Sequence, residues 1–399
     1  MGNTSPKTAR EPRSVYFDAN ATTPLLAEVF NAMMPWYFSR AGNASSGHAH
    51  GRAARAAVEE ARQQVADLIS CDRLEVVFTS GGTESDNLAI FGTIIGEAGT
   101  KPGAHIVTTN IEHHAVLHAI EQLERRGCTA TYVPVGENGQ VQTDGLRRAL
   151  RPNTRLISVM MANSETGVLQ PVEEIGRLAR DRGILFHVDA VQAAGKVPID
   201  VKKIGCDLLS FSSHKMHGPQ GTGALFVRAG VNLAPMFYGG EHEFGLRAGT
   251  ENVAGIVGFG KAAEIALSGF QDGSVARLKR LRDELEHSLL REIDDAGVNG
   301  GQAPRVPNTT NLWFGGIEGP SLLRQLDEMG LSVSGGSACA AGRCHPSHVL
   351  LAMGLSMQKA SSSIRFSLSK QTTTEDVDFA IWQVSEAMEQ LRTTSISRR

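Results

Sequence analysis

The sequence contains a lysine, Lys215, that lies three residues after the predicted buried strand Asp207–Ser212, among small polar residues. Burial lowers the pKa of a lysine and makes its amine nucleophilic, which is what imine (Schiff-base) chemistry requires. Taken alone, Lys215 also fits a surface loop, because lysines are mostly exposed. Whether its amine does chemistry therefore depends on the residues that the fold brings next to it.

A second candidate is Asp189, which closes the apolar run Ile184–Val188 and is followed three residues later by Gln192. A carboxylate in such a place is costly unless it is paired, and a cationic ring nitrogen would be one partner. An aspartate that caps the next element is the alternative.

The segment Ser80–Ser85 reads Ser-Gly-Gly-Thr-Glu-Ser and lies between a predicted strand and a predicted helix. Glycines allow close approach of the backbone to a ligand, and the free N–H groups of a helix N-terminus suit a phosphate. The segment lacks the Gly-Lys-Ser/Thr ending of a P-loop, which is therefore excluded. A plain turn with Thr83 as the N-cap is the alternative.

Glu112, His113 and His114 follow another predicted strand. Neighbouring histidines seldom turn toward one metal ion, so a histidine over a ligand, or at the surface, is favoured over zinc.

These residues are positioned by strands that alternate with helices, which predicts an α/β fold with a mostly parallel seven-stranded sheet covered by helices and a smaller α+β domain. The predicted domains are an N-terminal tail (1–14), a large domain (15–265) whose first residues pack on the small domain, and the small domain (266–399). The predicted strands are Glu75–Thr79, His105–Ile111, Thr129–Val135, Arg155–Ala162, Ile184–Val188, Asp207–Ser212, Gly223–Val227, Thr309–Phe314 and Ser363–Leu368. The predicted helices are Gly47–Ile69, Thr83–Ile95, Ala115–Arg126, Pro171–Arg182, Glu251–Leu267, Val275–Ile293, Pro320–Met329, Pro346–Met353 and Thr374–Leu391.

Ligands of parallel α/β sheets bind outside the carboxyl ends of the strands, so the polar residues above are expected to meet at one edge. A lysine that forms an imine, Lys215, an acid that holds a pyridinium proton, Asp189, and a phosphate cup at Gly82 and Thr83 are three demands of pyridoxal phosphate. Each motif alone is weak evidence for a cofactor site. Their joint occurrence predicts this cofactor.

The composition bounds the class of protein. The 399 residues carry a formal net charge of −3 and contain no long uninterrupted apolar stretch, which argues against nucleic acid or a membrane as a partner. The polar N-terminus lacks the apolar core of a secretory signal. Five cysteines without a CxxC pair argue against a disulfide framework and indicate a reducing cytoplasm. The three expected to be small buried thiols are Cys71, Cys128 and Cys206.

The chain resembles the cysteine desulfurases of the NifS/IscS type, within the class V aminotransferase group of fold-type I pyridoxal phosphate-dependent transferases. The resemblance covers nearly the whole chain in the family's order, and the NifS-like branch is favoured. The matching segments are Val15–Pro24, Thr79–Asn87, Glu112-His113, Asn163–Gly167, His187–Gln192, Ser212–Gly218, Arg247–Asn252, Ser337–Cys339 and Ser363–Leu368.

The resemblance implies roles for these residues. Lys215 would form the internal aldimine and move protons at the substrate Cα, Asp189 would pair with the pyridine nitrogen, and Gln192 would hydrogen-bond to the ring oxygen. His113 would stack on the ring. Arg365 would bind the substrate carboxylate as a bidentate fork. The phosphate would be held by Gly82, Thr83, Ser212 and His214, and by Thr250 of the partner subunit in a homodimer.

The resemblance makes Cys339 the nucleophile, which would attack the sulfur of bound L-cysteine and carry it away as a persulfide, leaving L-alanine. His113 would help to generate the thiolate. Cys344, five residues later, is a spectator, a resolving thiol or a relay for sulfur. The pattern C-x4-C-H-x2-H that begins at Cys339 would suit zinc, but a metal would immobilise a segment that must move, so no metal is predicted.

One position departs from the family. Registered on Glu165 and Gly167, Ser164 stands where the family has an asparagine that faces cofactor and substrate. Serine lacks the amide, so Asn163 or a water would substitute, and substrate affinity or rate would change. A selenocysteine lyase, another class V enzyme and a non-catalytic sulfur-carrier scaffold are the rivals. The sulfur acceptor, such as an iron–sulfur scaffold protein, is not identified by the sequence.

Overall fold

The fold is built around a seven-stranded sheet and a four-stranded sheet. A computed structural model describes residues 13–95, 103–335 and 346–396 of the chain. The elements of the larger N-terminal part are β1 (Val15–Tyr16), α1 (Ala27–Phe38), α2 (Ala49–Ile69), β2 (Val76–Thr79), α3 (Gly82–Ile95), β3 (His105–Thr109), α4 (His114–Glu124), β4 (Thr129–Val133), α5 (Thr143–Ala149), β5 (Thr154–Met160), α6 (Val172–Asp181), β6 (Leu185–Asp189), α7 (Val201–Ile204), β7 (Leu208–Ser212), β8 (Gly223–Val227) and α8 (Val253–Gly269).

The C-terminal part is smaller and mixes helices with short strands. Its elements are α9 (Ser274–Glu292), β9 (Ala296–Val298), β10 (Thr309–Phe314), α10 (Gly319–Glu328), β11 (Leu331–Ser332), β12 (Ser334–Gly335), α11 (His348–Ala352), α12 (Met357–Ser361), β13 (Ser363–Ser367) and α13 (Thr374–Ile396).

The central sheet has seven strands in the order β2-β8-β7-β6-β5-β3-β4, of which β8 runs antiparallel to both neighbours and the others run parallel. Alternate residues of one strand enter different apolar clusters. Val76 and Phe78 pack with Val65 of α2, whereas Val77 packs with Leu88 of α3. Both faces are therefore covered, which explains the uninterrupted apolar runs. The predicted α/β fold with a mostly parallel sheet is confirmed.

The C-terminal part contains an antiparallel sheet in the order β12-β13-β10-β9, packed against apolar residues of α9, α10 and α13. Strand β1 pairs in parallel with β11, and Asp18 bridges to Ser367 of β13. The segment Asp18–Ala21 therefore runs along the junction between the two parts. The domain boundary predicted after residue 265 falls inside α8, which packs against α1 and α2.

Some elements differ from the sequence prediction. Helix α1 was not predicted: it contains Pro35 and buries Val29 and Met33, so its apolar periodicity is weak. The short α5, α7 and α12 were also missed. The helix predicted from Pro346 begins at His348, because Ser347 is its N-cap. No single helix within the described ranges is long and apolar enough to cross a membrane.

Candidate active site

Lys215 lies in a single 3-10 turn, Ser213–Lys215, directly after β7. Its Nζ donates to the backbone carbonyl oxygens of Asn20 and Ala21, at 2.6 and 2.7 Å. Burial and the nearby Arg365 guanidinium lower the pKa of Lys215 to about 8. A fraction of the amine is therefore neutral near pH 7, and this is the form that attacks a carbonyl carbon.

Asp189 is the last residue of β6, which is the neighbour of β7 in the sheet, and it is buried. Its Oδ1 accepts a hydrogen bond from the backbone N–H of Val191 at 2.9 Å, and burial raises its pKa to about 6. The buried Gln192 donates from Nε2 to the carbonyl oxygen of Asn20 at 2.9 Å. Lys215 contacts the same oxygen, so Gln192 and Lys215 meet at one backbone carbonyl.

The N-terminus of α3 packs tightly against the residues that follow β6. A Cβ on Gly82 would lie 2.6 Å from Cγ2 of Val191, which leaves room for glycine alone. The Oγ of Ser212, at the end of β7, lies 3.8 Å from the place where a Cβ of Gly81 would stand. The first N–H groups of α3, including that of Thr83, have no partner inside the helix. This corner can therefore accept an anion.

His214 lies on the same side of the site, where its Nδ1 is 3.1 Å from the Oγ1 of Thr22. Burial and the neighbouring Lys215 lower the pKa of His214 to about 4. Its imidazole is therefore neutral at pH 7 and can donate one hydrogen bond to an anion without adding a charge.

His113 is the N-cap of α4, and its Nδ1 accepts a hydrogen bond from the backbone N–H of Ala115 at 3.1 Å. This bond selects the tautomer that carries its proton on Nε2. Desolvation, His114 and Lys215 lower the pKa of His113 to about 4. The neutral ring can stack on a ligand and donate from Nε2, but it takes up a proton only if the capping bond is given up.

Three further histidines cluster beside His113, and the sequence interpretation missed the cluster. The rings of His114 and His118 stack with their centroids 4.9 Å apart, and the ring of His348 lies 4.9 Å from that of His114. The local signal was the four-residue spacing from His114 to His118, which is about one helical turn. In the described ranges, no group of three His, Cys, Asp or Glu side chains is arranged to hold a metal ion.

Asn163 is buried in the turn that follows β5. Its Oδ1 accepts hydrogen bonds from the backbone N–H groups of Glu165 and Thr166, at 2.9 and 3.1 Å. Its Nδ2 donates to the carbonyl oxygen of Ile111 at 3.2 Å. The Oδ1 end of this amide therefore holds the turn together, and the Nδ2 end attaches the turn to the residues that follow β3. Ser164, next in the chain, is half-buried.

Arg365, on β13, reaches this turn from the C-terminal part. It donates from Nη1 to the carbonyl oxygen of Ser164 at 2.9 Å and from Nη2 to Oδ1 of Asp18 at 2.6 Å. Its buried Nε finds no acceptor among the described residues. Ser347, the N-cap of α11, donates to the buried Glu165, so two segments of the C-terminal part are attached to the same turn.

Three cysteines, Cys71, Cys128 and Cys206, are free thiols in the structure. Cys128 and Cys206 are buried, as predicted, whereas Cys71 is half-buried. Burial raises the pKa of all three thiols, that of Cys71 to about 12. They therefore stay protonated at neutral pH and are poor nucleophiles. Cys339 and Cys344 lie outside the described residues.

Thr250 is exposed on the loop that precedes α8. Three aromatic side chains of the same stretch are also exposed: Phe237 by 51%, Tyr238 by 86% and Phe244 by 54%. Exposed apolar groups that lie together commonly mark an interaction surface. Thr250 thus stands at a surface, whereas Lys215, Asp189, Gln192, Ser212 and Gly82 lie together at the carboxyl ends of the strands.

Two buried acids lie behind Asp189. Burial, and secondarily Asp189, hold the pKa of Asp86 well above its usual range, and burial raises the pKa of Glu112 to about 8. Oδ1 of Asp86 is 3.5 Å from Nε2 of His187, which is 2.9 Å from the Oγ of Ser210. The sequence interpretation missed Asp86 because nothing local to its helix marks a buried acid.

The family model described as Aminotransferase class-V matches residues 15–379. The chain therefore belongs to the class-V aminotransferase family. Among its relatives, a protein of Trichormus azollae described as "Cysteine desulfurase" is 48% identical over 381 residues, which is 96% of this chain and 94% of the relative.

Two solved structures are similar along almost the entire chain. One, described as "NIFS-LIKE PROTEIN", has a TM-score of 0.88 and 37% identity and covers 95% of this chain and 100% of its own. The other, titled "SspA in complex with cysteine", has a TM-score of 0.78 and 35% identity and covers 90% of this chain and 99% of its own.

Proposed function

We propose that this protein is a pyridoxal phosphate-dependent cysteine desulfurase, which converts L-cysteine to L-alanine and leaves the sulfur as a persulfide on Cys339. The observation that carries the proposal is the meeting of Lys215 and Gln192 at the carbonyl of Asn20, beside Asp189 at the end of the adjacent strand. The 48% identity to a protein described as a cysteine desulfurase supports the same reaction.

The residues of the site fit pyridoxal phosphate. Lys215, with its pKa lowered to about 8, would make the covalent link, and Asp189 would face the pyridine nitrogen. His113 would stack on the ring. When bound, the cofactor would supply an electron sink for the carbanion at the substrate Cα. The phosphate would lie at the start of α3, held by Gly82, Thr83, Ser212 and His214.

Arg365 would bind the substrate carboxylate. Its Nη2 pairs with Asp18, and its buried Nε has no acceptor among the described residues. If the substrate carboxylate displaces Asp18, these two donors can form a bidentate fork. Ser164, beside it, is too short to add the amide contact that an asparagine would make. Asn163 would then stabilise the turn that contains Ser164 and so support substrate binding indirectly.

The sulfur transfer needs one thiolate and two proton movements. Lys215 would move a proton at the substrate Cα. The Cys339 thiolate would attack the substrate Sγ: the Cβ–Sγ bond breaks, the new S–S bond forms, and the electron pair left on the carbon side is protonated to give L-alanine. The sum is L-cysteine plus thiol to L-alanine plus persulfide, so no external oxidant is required. Burial raises the pKa values of Cys71, Cys128 and Cys206, so these three thiols are less suited than Cys339 to act as the nucleophile.

The exposed aromatic loop around Thr250 supports a homodimer in which Thr250 reaches the phosphate site of the partner subunit. A sulfur-acceptor protein, such as an iron–sulfur scaffold, would take the persulfide sulfur. A reducing compartment, the cytoplasm, suits this chemistry because Cys339 must stay a free thiol.

The test is a comparison of wild-type protein, Cys339→Ser and Cys71→Ser. Wild type should bind pyridoxal phosphate with a visible absorption band and release alanine and sulfide from L-cysteine in the presence of a thiol reductant. Cys339→Ser should keep the band and release no sulfide. Cys71→Ser, a matched control, should keep the band and release alanine and sulfide as the wild type does. Wild-type protein that neither binds the cofactor nor forms alanine would overturn the proposal.

A further inference from the structure

Lys196 is a second buried lysine close to the site, and the proposed mechanism does not use it. It is 6% exposed, in the chain segment that follows β6, and no carboxylate of the described residues lies within ion-pair distance of it. The cations that face it are Lys215 and Arg365, and the titratable side chains of His214 and His217 also lie near it. Burial first, and then these cations, hold the pKa of Lys196 well below its usual range. Burial of such a group costs free energy unless the group is hydrogen-bonded.

The hydrogen bonds of Lys196 converge on two residues of the site. Its Nζ donates to Oε1 of Gln192 at 2.6 Å and to Oδ1 of Asn20 at 2.9 Å. On its other side, the Gln192 amide donates from Nε2 to the carbonyl oxygen of Asn20 at 2.9 Å. The Nζ of Lys196 has an N–H for each of its two acceptor oxygens in both its charged and its neutral form, and the Asn20 carbonyl only accepts. Both neighbours of the Gln192 amide therefore favour the same orientation.

This orientation leaves one N–H of Gln192 available, because Nε2 carries two hydrogens and the Asn20 carbonyl takes one. Nε2 lies beside the Nζ of Lys215, since both contact that carbonyl. In pyridoxal phosphate the phenolic oxygen stands on the ring carbon next to the one that bears the aldehyde. A donor adjacent to Lys215 is therefore in place for that oxygen.

We infer that Lys196 is a positioning residue: it fixes the carboxamide of Gln192 with Nε2, rather than Oε1, toward the phenolic oxygen of the cofactor. The inference rests on the proposed function, since it concerns the same cofactor. Without Lys196, the amide could turn over and present an acceptor to an oxygen that is itself rich in electrons. A hydrogen bond to the charged ring oxygen would be lost.

The rival explanation is that Lys196 only supports Asn20. Asn20 links the two parts of the molecule, because its Nδ2 donates to the Ser164 carbonyl at 3.0 Å and to Oγ1 of Thr309 at 2.9 Å. Asn308 also donates to its Oδ1 at 3.1 Å. In that case, removal of Lys196 would act whether or not Gln192 is present, and this difference decides the test.

The experiment titrates the absorption band of the bound cofactor against pH in holoenzyme carrying Lys196→Met, Gln192→Leu or both. A donor to the ring oxygen lowers the pH midpoint, so Lys196→Met should raise it by about one pH unit and weaken cofactor binding about tenfold. In the Gln192→Leu background, Lys196→Met should produce no further shift. Lys203→Met, at an exposed position of α7, is the matched control and should behave as wild type.

An equal shift in both backgrounds, or no shift in either, overturns the inference. If Lys196→Met does not fold, a neutron crystal structure of the wild-type holoenzyme, which locates the amide hydrogens, decides: Nε2 of Gln192 on the ring oxygen with Oε1 on Lys196 supports the inference, and any other arrangement overturns it. Wild-type protein without a cofactor band would contradict the proposed function instead, so the two failures are distinguishable.

Discussion

The amine of Lys215 is subject to opposing electrostatic influences. Burial and Arg365 disfavour the ammonium form, whereas Asp18 and Asp189 favour it, and the outcome is a pKa lowered from 10.5 to about 8. At Asp189 burial acts in the other direction and raises the pKa to about 6. Because desolvation favours the neutral form of both groups, the same buried corner supplies a nucleophilic amine and a carboxyl that gains from a cationic ring nitrogen.

The pKa of Lys215 predicts how cofactor uptake depends on pH. Only the neutral amine attacks the aldehyde, so the rate of covalent uptake by cofactor-free protein should rise with pH and level off above about pH 8. Well below that value it should fall about tenfold per pH unit. The rate is measured by the appearance of the absorption band after mixing with pyridoxal phosphate. Lys215→Ala is the control and should show no covalent uptake; a wild-type rate independent of pH would contradict the prediction.

At the scale of elements, the exposed aromatic loop before α8 is anchored by a buried ion pair. Arg62 of α2 donates from Nη1 and Nη2 to the two carboxylate oxygens of Glu243, each at 2.7 Å, and the backbone N–H of Phe78 donates to the same carboxylate. Glu243 and Phe244 have φ values of 46° and 58°, which are unfavourable for residues other than glycine. The ion pair therefore stabilises the turn that presents Phe244 at the surface.

Arg62→Leu should lower the free energy of unfolding by about 3–5 kcal/mol, because it leaves the carboxylate of Glu243 buried and unpaired. The measurement is denaturant unfolding of the cofactor-free protein. The matched control is Arg177→Leu, at an exposed position of α6, which should change stability by less than about 0.5 kcal/mol. Equal effects of the two substitutions would show that the ion pair does not anchor the loop.

For the molecule as a whole, buried ionisable groups govern how stability depends on pH. Burial raises the pKa of Glu112 from 4.5 to about 8, so its contribution to stability is fully present below pH 4.5 and is lost as the pH rises to about 8. Burial lowers the pKa of His187 from 6.5 to about 3, so its contribution is present above pH 6.5 and is lost as the pH falls toward 3. Together these two groups make the folded protein most stable at mildly acidic pH.

The wild-type melting temperature should therefore fall between about pH 6 and pH 8, since the folded protein holds a proton on Glu112 that the unfolded chain releases. Glu112→Gln should reduce this fall by a few degrees, at about 1 °C per kcal/mol for a chain of 399 residues. Thermal unfolding of the cofactor-free protein at both pH values is the measurement. Glu121→Gln, exposed on α4, is the control; the same fall in all three proteins would refute the assignment to Glu112.

Most strands of the central sheet were predictable because they are buried on both faces and read as apolar runs, as Gly223–Val227 does. Helix α1 was not predictable, because its buried face is narrow and Pro35 interrupts its apolar periodicity. In the site, Lys215 and Asp189 could be singled out because a polar residue at the end of an apolar run is conspicuous. The proximity of His348 to His114 was not predictable, because α4 and α11 are distant in the chain and meet only in the folded structure.

The sequence by itself determined the α/β class, the order of the strands and helices around the site, and the residue types that suit pyridoxal phosphate, since these depend on local pattern and chemistry. The tertiary structure decided which groups meet: the carbonyl of Asn20 receives Lys215 and Gln192, Arg365 crosses from the C-terminal part to Asp18, and Lys196 is buried behind them. Burial and contacts between distant segments shift pKa values and orient amides, and both arise only when the chain is folded.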